Sequence, residues 1–172
     1  MEYRTLPQGG EKIGVIGMGA SVIGARPEGE IIDTVRTACE SGINYFDLAA
    51  GHATVFPAYG KALADLRKSV YLQIHFGADY TSGEYGWTTK KAEIQKSVAW
   101  QLQNLRTDYI DFGFLHCLDE ESDLAAYEKN GVLDYVRDLK AQGVIRHLGL
   151  SSHTPALANK VLDLGIVDVL MF

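Results

Sequence analysis

The chain has 172 residues, a formal net charge of −6, 47% hydrophobic residues and 22% charged residues. This composition is typical of a globular protein, and the length predicts a single domain over residues 1–172 with a sizeable core. The negative charge disfavours partners such as nucleic acid or an anionic membrane. No apolar run reaches the ~18 residues of a membrane span, and the N-terminus lacks a signal-peptide pattern. We therefore expect a cytoplasmic protein in which Cys39 and Cys117 are free thiols.

Short apolar runs alternate with helical patterns along the chain. Six runs are predicted to be strands: 12–17, 43–47, 69–77, 108–116, 144–152 and 167–172. Five segments are predicted to be helices: 30–41, 58–66, 90–105, 123–141 and 155–165. Continuous apolar strands that alternate with amphipathic helices predict an α/β fold with a parallel sheet covered on its faces.

Two architectures fit this alternation, an open doubly wound sheet and a (β/α)8 TIM-type barrel. Polar residues stand at the C-terminal ends of four successive predicted strands: Asp47, His75, His116, Ser151 and Ser152. In a barrel these ends converge on one mouth, where barrel enzymes place their chemistry. The sequence therefore favours the barrel, which is incomplete because only about six parallel strands and five helices are predicted.

Two glycine-rich segments suggest contacts with a ligand. The segment "GVIGMGASVIG" (14–24) does not match the dinucleotide pattern G-x-G-x-x-G, because Val22 stands at the third glycine position. It predicts a tight turn, either close to a ligand or simply tight. The loop 77–88 is polar, aromatic and rich in glycine, which is typical of a binding loop or of a solvated surface loop.

Five motifs in order resemble the aldo-keto reductase family over nearly the whole chain: "NYFDLAAGH", "YGKALADL", "VYLQIHFG", "DYIDFGFLHC" and "GVIRHLGLSSH". The opening "YRTLPQGGEKIGVIGMGA" is similar to the start of that family. The resemblance implies a (β/α)8 barrel that reduces a small-molecule aldehyde or ketone with NADPH. It also implies a catalytic aspartate, tyrosine, lysine and histidine. In this family the tyrosine protonates the carbonyl oxygen, the lysine lowers the pKa of the tyrosine, and the histidine orients the carbonyl.

The catalytic group is carried over only in part. Asp47 and His116 match the aspartate and the histidine, whereas His52 stands at the tyrosine position and His75 at the lysine position. Tyr59 is an alternative for the acid. A histidine has an unperturbed pKa of about 6.5 and can act as a general acid near neutral pH. The predicted catalytic residues are therefore those four: Asp47, His52, His75 and His116.

The resemblance also implies a site for NADP(H). The residues expected to contact the cofactor are Gly19, Ala20, Ser21, Asp47, Ser151 and Ser152. Ser151 matches the family's serine, and Ser152 replaces its asparagine. Most cofactor contacts of the family would lie beyond Phe172, so we expect either a longer protein or self-association through the open barrel edge. The "LSSH" form is similar to a branch with a C-terminal iron–sulfur module, which two isolated cysteines cannot form.

Two other functions remain open from the sequence. The replacement of two catalytic positions is compatible with a non-catalytic or regulatory barrel that binds a nucleotide. One aspartate and three histidines at a barrel mouth are also suitable ligands for zinc, and barrel hydrolases use such sets to activate water.

Overall fold

The structure, a computed structural model, describes residues 1–172 and contains ten strands and six α-helices. The strands are β1 (Tyr3–Thr5), β2 (Lys12–Gly14), β3 (Met18–Gly19), β4 (Tyr45–Asp47), β5 (Tyr71–Phe76), β6 (Ala78–Asp79), β7 (Gly86–Trp87), β8 (Ile110–Leu115), β9 (Ile145–Ser151) and β10 (Val169–Met171). The helices are α1 (Glu28–Glu40), α2 (Val55–Ala62), α3 (Lys91–Leu105), α4 (Glu121–Lys129), α5 (Val132–Ala141) and α6 (Pro155–Asp163).

Six strands form one parallel sheet in the order β3, β4, β5, β8, β9, β10. Each strand is joined to the next by at least one helix, which confirms the predicted α/β fold with about six parallel strands. The sheet is curled into a half-barrel. Tyr45 of β4, Phe112 of β8 and Val169 of β10 line one cavity on its concave side. We call the edge at which the parallel strands end the mouth.

The predicted first strand, 12–17, was wrong in its extent and its partner. Lys12–Gly14 pairs antiparallel with Tyr3–Thr5, and the parallel sheet begins only at Met18–Gly19. Two glycines with positive φ, Gly9 (92°) and Gly10 (80°), make the reversal that forms this hairpin. The apolar run 12–17 therefore divides between the hairpin and the sheet.

The predicted helix 123–141 is two helices, so the chain has six helices instead of five. Gly131 has a φ of 69° and precedes the first residue of α5, and this left-handed conformation interrupts the helical backbone between Lys129 and Val132. The predicted helix 58–66 also begins earlier, at Val55.

The core consists of 37 buried hydrophobic residues in one cluster. All six residues of β8 are buried, as expected for a parallel strand covered on both faces. Gly149 of β9 leaves room for a neighbouring ring, because a Cβ added there would lie 2.5 Å from atoms of Phe114. This packing fixes β8 against β9, and both strands lead into the mouth.

Two expectations from composition can be compared with the structure. Cys39 and Cys117 are free and partly buried, which confirms the predicted thiols. None of the helices combines the length and the apolarity that crossing a membrane requires.

Candidate active site

The parallel register brings three of the predicted catalytic residues to one place. Asp47 ends β4, His75 lies one residue before the end of β5, and His116 directly follows β8. These strands are neighbours in the sheet. The strand ends therefore place the three side chains side by side at the mouth.

These residues form a continuous hydrogen-bonded chain. Asp47 Oδ1 lies 2.7 Å from His75 Nε2, and His75 Nδ1 lies 2.9 Å from His116 Nδ1. His75 and His116 are buried, and the Asp47 side chain is 22% exposed. The site is therefore largely desolvated, so its hydrogen bonds are stronger than they would be in water.

Tyr85 extends this chain, and the sequence reasoning missed it. Its hydroxyl lies 3.0 Å from His116 Nε2. Tyr85 belongs to residues 77–88, which we call the mouth hairpin because β6 and β7 pair antiparallel there. The polar, aromatic and glycine-rich composition of this loop is typical of a binding loop or of a solvated surface loop. No local pattern indicated which of its residues would turn toward the histidines.

When both histidine rings are neutral, the hydrogen bonds that join Asp47, His75, His116 and Tyr85 can run in only one direction. A carboxylate only accepts hydrogen bonds, so His75 Nε2 donates to Asp47 and His75 Nδ1 accepts from His116 Nδ1. His116 Nε2 then accepts from the Tyr85 hydroxyl. The Gln73 side-chain amide lies 2.9 Å from His75 Nε2. Because the ends of an amide are assigned from the hydrogen-bond network, a donating Nε2 requires the Gln73 oxygen to face it.

The surroundings set the protonation of His116 and Tyr85. Burial, with a smaller contribution from the nearby His75, lowers the pKa of His116 to about 4, so His116 is neutral near pH 7. Burial is also the main cause that raises the pKa of the Tyr85 phenol, with Cys117 contributing. Tyr85 is therefore protonated near neutral pH.

His52 lies at the mouth, but it is not part of this chain. Its Nδ1 lies 3.5 Å from a Glu84 carboxylate oxygen, and its side chain is 43% exposed. A β-bridge also joins His52 to Glu84, and the Ala53 amide donates to the Gly83 carbonyl at 3.3 Å. His52 therefore contacts the mouth hairpin immediately before Tyr85 and makes no hydrogen bond with Asp47, His75 or His116.

Tyr59 lies in the core. It belongs to α2, is fully buried, and packs edge-on against Phe46 with ring centroids 5.7 Å apart. Its hydroxyl has no hydrogen-bond partner, and burial, with a contribution from Asp47, raises its pKa. The structure does not bring Tyr59 into contact with the polar chain.

The residues expected to hold a cofactor surround Asp47 and the end of β9. Gly19 is in register with Asp47, and no atom would lie within 4 Å of a Cβ added there, so the space beside it is open. Ala20 is buried and its amide donates to the Asp47 carbonyl at 2.9 Å, whereas Ser21 is exposed.

The two serines after β9 are already hydrogen-bonded within the chain. Ser151 Oγ accepts the Cys117 amide at 3.0 Å and donates to the Leu115 carbonyl at 3.4 Å. Ser152 Oγ donates to the Leu118 carbonyl at 2.7 Å and accepts the Thr154 amide at 3.1 Å. A hydroxyl has one donor and two acceptor lone pairs, so each serine retains one acceptor for an amide N–H such as that of a nicotinamide carboxamide.

The geometry gives little support for a metal centre. Both ring nitrogens of His75 and of His116 are occupied by hydrogen bonds within the polar chain. Elsewhere, ligand atoms of three residues approach within 4.8 Å: Cys117, Asp119 and His153. The Asp119 carboxylate there accepts the amide and the ring Nδ1 of His153, at 2.6 and 2.9 Å. Hydrogen bonds therefore engage both histidines of the polar chain and the Asp119–His153 pair.

The chain is similar to several known proteins. Arabidopsis thaliana L-galactose dehydrogenase is 30% identical over 99% of this chain and 56% of its own length. The solved structure of an aldo-keto reductase from Bacillus halodurans, in its holo form, is 26% identical with a TM-score of 0.82, over 100% of this chain and 58% of the other. A Klebsiella pneumoniae aldo-keto reductase in complex with NADPH is 22% identical with a TM-score of 0.66, over 95% of this chain and 54% of the other.

The family match covers most of this chain, but the chain covers only part of the length of its relatives. The chain spans about half the length of the curated relatives it matches, for example 56% of two of them. The Aldo/keto reductase family profile matches residues 15–172, which include the whole parallel sheet. The chain belongs to the aldo/keto reductase family, whose members are oxidoreductases and whose solved relatives fold as (β/α)8 barrels.

Proposed function

We propose that this chain carries the catalytic group of an NADP(H)-dependent reductase that converts a small aldehyde or ketone into an alcohol. The observation that supports this proposal is the Asp47–His75–His116 chain at the mouth. It joins, by hydrogen bonds of 2.7 and 2.9 Å, residues at three positions of the family's catalytic group. In this protein His75 occupies the position of the family's lysine.

The open space beside Gly19 and the remaining acceptors of Ser151 and Ser152 fit a nicotinamide ring with its carboxamide. Gly19, Ala20, Ser21, Asp47, Ser151 and Ser152 are proposed to contact it, with further contacts from residues after Phe172. The bound reduced nicotinamide would supply a hydride to the carbonyl carbon. The Klebsiella pneumoniae relative in complex with NADPH supports the choice of cofactor.

His75 takes the role of the cation in this proposal. When its ring is protonated, both nitrogens donate, Nε2 to the Asp47 carboxylate and Nδ1 to His116. The ion pair with Asp47 at 2.7 Å compensates the charge in a largely buried setting. His116, held by His75 through Nδ1, positions the Tyr85 hydroxyl at the mouth through Nε2. The open barrel edge and self-association remain a prediction.

The test is NADPH consumption by the full-length protein with a panel of aldehydes and ketones, alongside NADPH binding followed by nucleotide fluorescence. We expect turnover with at least one carbonyl, and its loss in His75→Leu with nucleotide binding retained. Binding without turnover by the unchanged protein across the panel would instead support the non-catalytic barrel.

A further inference from the structure

We infer that Tyr85 donates the proton to the carbonyl oxygen, and that His116 and His75 resupply it. The inference rests on the proposed carbonyl reduction and assigns its acid to the mouth hairpin, outside the position at which the family carries its tyrosine. Reduction of a carbonyl leaves an alkoxide, so some group at the mouth must give a proton to that oxygen.

The geometry favours Tyr85 over the two acids considered from the sequence. Its hydroxyl contacts His116 Nε2 at 3.0 Å, and the residue is 45% exposed, so a substrate in the mouth can reach it. Tyr59 is fully buried in the core. His52 pairs with Glu84 and makes no hydrogen bond with Asp47, His75 or His116.

The mouth hairpin holds Tyr85 in this position through several contacts. Tyr80 packs against Tyr85 with ring centroids 5.9 Å apart, and the Tyr80 hydroxyl accepts the Ala50 amide at 3.0 Å. The indole Nε1 of Trp87 donates to the His116 carbonyl at 3.5 Å. The phenol is therefore held over His116 from both sides of the hairpin.

The proton that Tyr85 gives to the substrate can be replaced through His116 and His75. Before reduction His75 is protonated on both nitrogens, its Nδ1 proton is donated to His116 Nδ1, and His116 Nε2–H is donated to the Tyr85 oxygen. The Tyr85 O–H is then free to face the substrate. As the carbonyl carbon is reduced, the π electron pair moves onto oxygen, which takes the Tyr85 proton.

Two further transfers restore Tyr85. Its oxygen takes the Nε2 proton of His116, and His116 Nδ1 takes the Nδ1 proton of His75. His75 ends neutral, with its Nε2–H donated to Asp47. The hydrogen bonds then run in the direction described above for two neutral histidine rings. After the alcohol leaves, water at the exposed Tyr85 returns one proton by the reverse path.

His116 suits a relay because it passes a proton without storing one. Burial is the largest cause that lowers its pKa to about 4, so near neutral pH His116 does not retain a second proton. The ionisable groups near this hydrogen-bonded chain on neighbouring elements are Tyr45, Tyr59, Tyr80, Cys117, Asp119 and His153. Asp47 is itself part of the chain, whereas the Asp119 carboxylate bonds to Ser152 and His153.

The test compares three variants of the full-length protein. Tyr85→Phe removes only the proposed acid. Tyr3→Phe is the matched control, because Tyr3 is 46% exposed and its hydroxyl donates a single hydrogen bond, to the Gly42 carbonyl at 2.9 Å. His52→Gln removes the acid that the sequence suggested and keeps a polar side chain next to Glu84.

We expect Tyr85→Phe to lower kcat ~100- to 10,000-fold while the dissociation constant for NADPH stays unchanged. Tyr3→Phe should match the unchanged protein, and His52→Gln should lose less than Tyr85→Phe. A kcat of Tyr85→Phe within about threefold of the unchanged protein would overturn the inference, as would a loss in His52→Gln that equals or exceeds it.

A second measurement needs neither cofactor nor turnover. Nitrogen NMR of the histidine rings in the cofactor-free protein should show a shift of His116 Nε2 in Tyr85→Phe, with His147 unchanged as an internal control. An unchanged His116 resonance would overturn the relay. If the unchanged protein reduces no carbonyl, the proposed function fails. If it is active and Tyr85→Phe is equally active, only the assignment of Tyr85 fails.

Discussion

Each end of the parallel sheet holds a carboxylate, and the two carboxylates have different partners. Near the start of β8, Asp111 is 1% exposed and contacts Arg67 and Arg146, each at 2.9 Å, and the Leu72 amide at 3.0 Å. At the mouth, Asp47 contacts His75. The first carboxylate faces two permanent cations, and the second faces a ring whose charge can change.

This difference assigns a structural role to Asp111 and a chemical role to Asp47. Arg67 and Arg146 also flank the Tyr109 ring, with guanidinium carbons 4.0 and 4.4 Å from its centroid, so the charges at the start of the strands are fixed and fully engaged. Protons can move along the chain at the mouth because each histidine can exchange donor and acceptor roles. We therefore expect changes at Asp111 to affect mainly stability, and changes at Asp47 to affect mainly activity.

The largest expected effect on stability is at Asp111. Asp111→Ala leaves two arginines and a buried amide without their partner, which should lower the free energy of unfolding by about 3–5 kcal/mol. Asp47→Ala should cost about 1–3 kcal/mol, because it leaves one buried ring nitrogen of His75 without its hydrogen-bond partner. Urea unfolding of both variants measures the difference. Equal losses would contradict the assignment of different roles to the two carboxylates.

The next effect is a pH dependence that comes from His116. Its pKa is about 4 in the folded protein and about 6.5 in the unfolded chain. Between these values the unfolded state binds more protons, so stability is full above pH ~6.5 and falls as the pH approaches ~4. The two pKa values correspond to a loss of about 3 kcal/mol.

Urea unfolding at about pH 7 and about pH 4.5 measures this loss. His116→Asn should reduce the dependence, because asparagine does not titrate. The Asp47 and His75 groups remain in that variant, so the difference in slope between the two proteins isolates His116. Identical slopes would show that His116 does not resist protonation in the folded state.

Residues at strand ends could be predicted, and residues on loops could not. Asp47, His75 and His116 were found because the sequence identifies where buried strands end, and the parallel register places those ends together. Tyr85 and His52 depend on how the mouth hairpin folds back, which is decided by contacts such as Tyr80 with Ala50 that have no local signal. The split at Gly131 was missed because apolar spacing continues across it.

A smaller effect is expected at Gly149, which belongs to the sheet between the two ends. Gly149→Ala would bring a methyl group to 2.5 Å from Phe114, and the repacking should cost about 1–3 kcal/mol. Gly29→Ala is the matched control, because it lies in α1 with no atom within 4 Å of an added Cβ. Because Gly29 is the second residue of α1, this control should gain less than about 0.5 kcal/mol from helix propensity. A neutral Gly149→Ala would mean that Phe114 can move without cost.

The smallest effect is expected at the contact between His52 and the mouth hairpin. Glu84→Gln removes the carboxylate that contacts His52, between side chains that are 43% and 76% exposed, so the free energy of unfolding should fall by less than about 1 kcal/mol. The Ala53 amide, which donates to Gly83, should exchange faster with solvent, and kcat should fall less than in Tyr85→Phe. Arg137→Gln, which removes an exposed pair with Asp134 at 3.2 Å within α5, is the control. If Glu84→Gln leaves the exchange of Ala53 unchanged, the contacts of Tyr80, Trp87 and Tyr85 hold the mouth hairpin by themselves, and His52 has no part in positioning the acid.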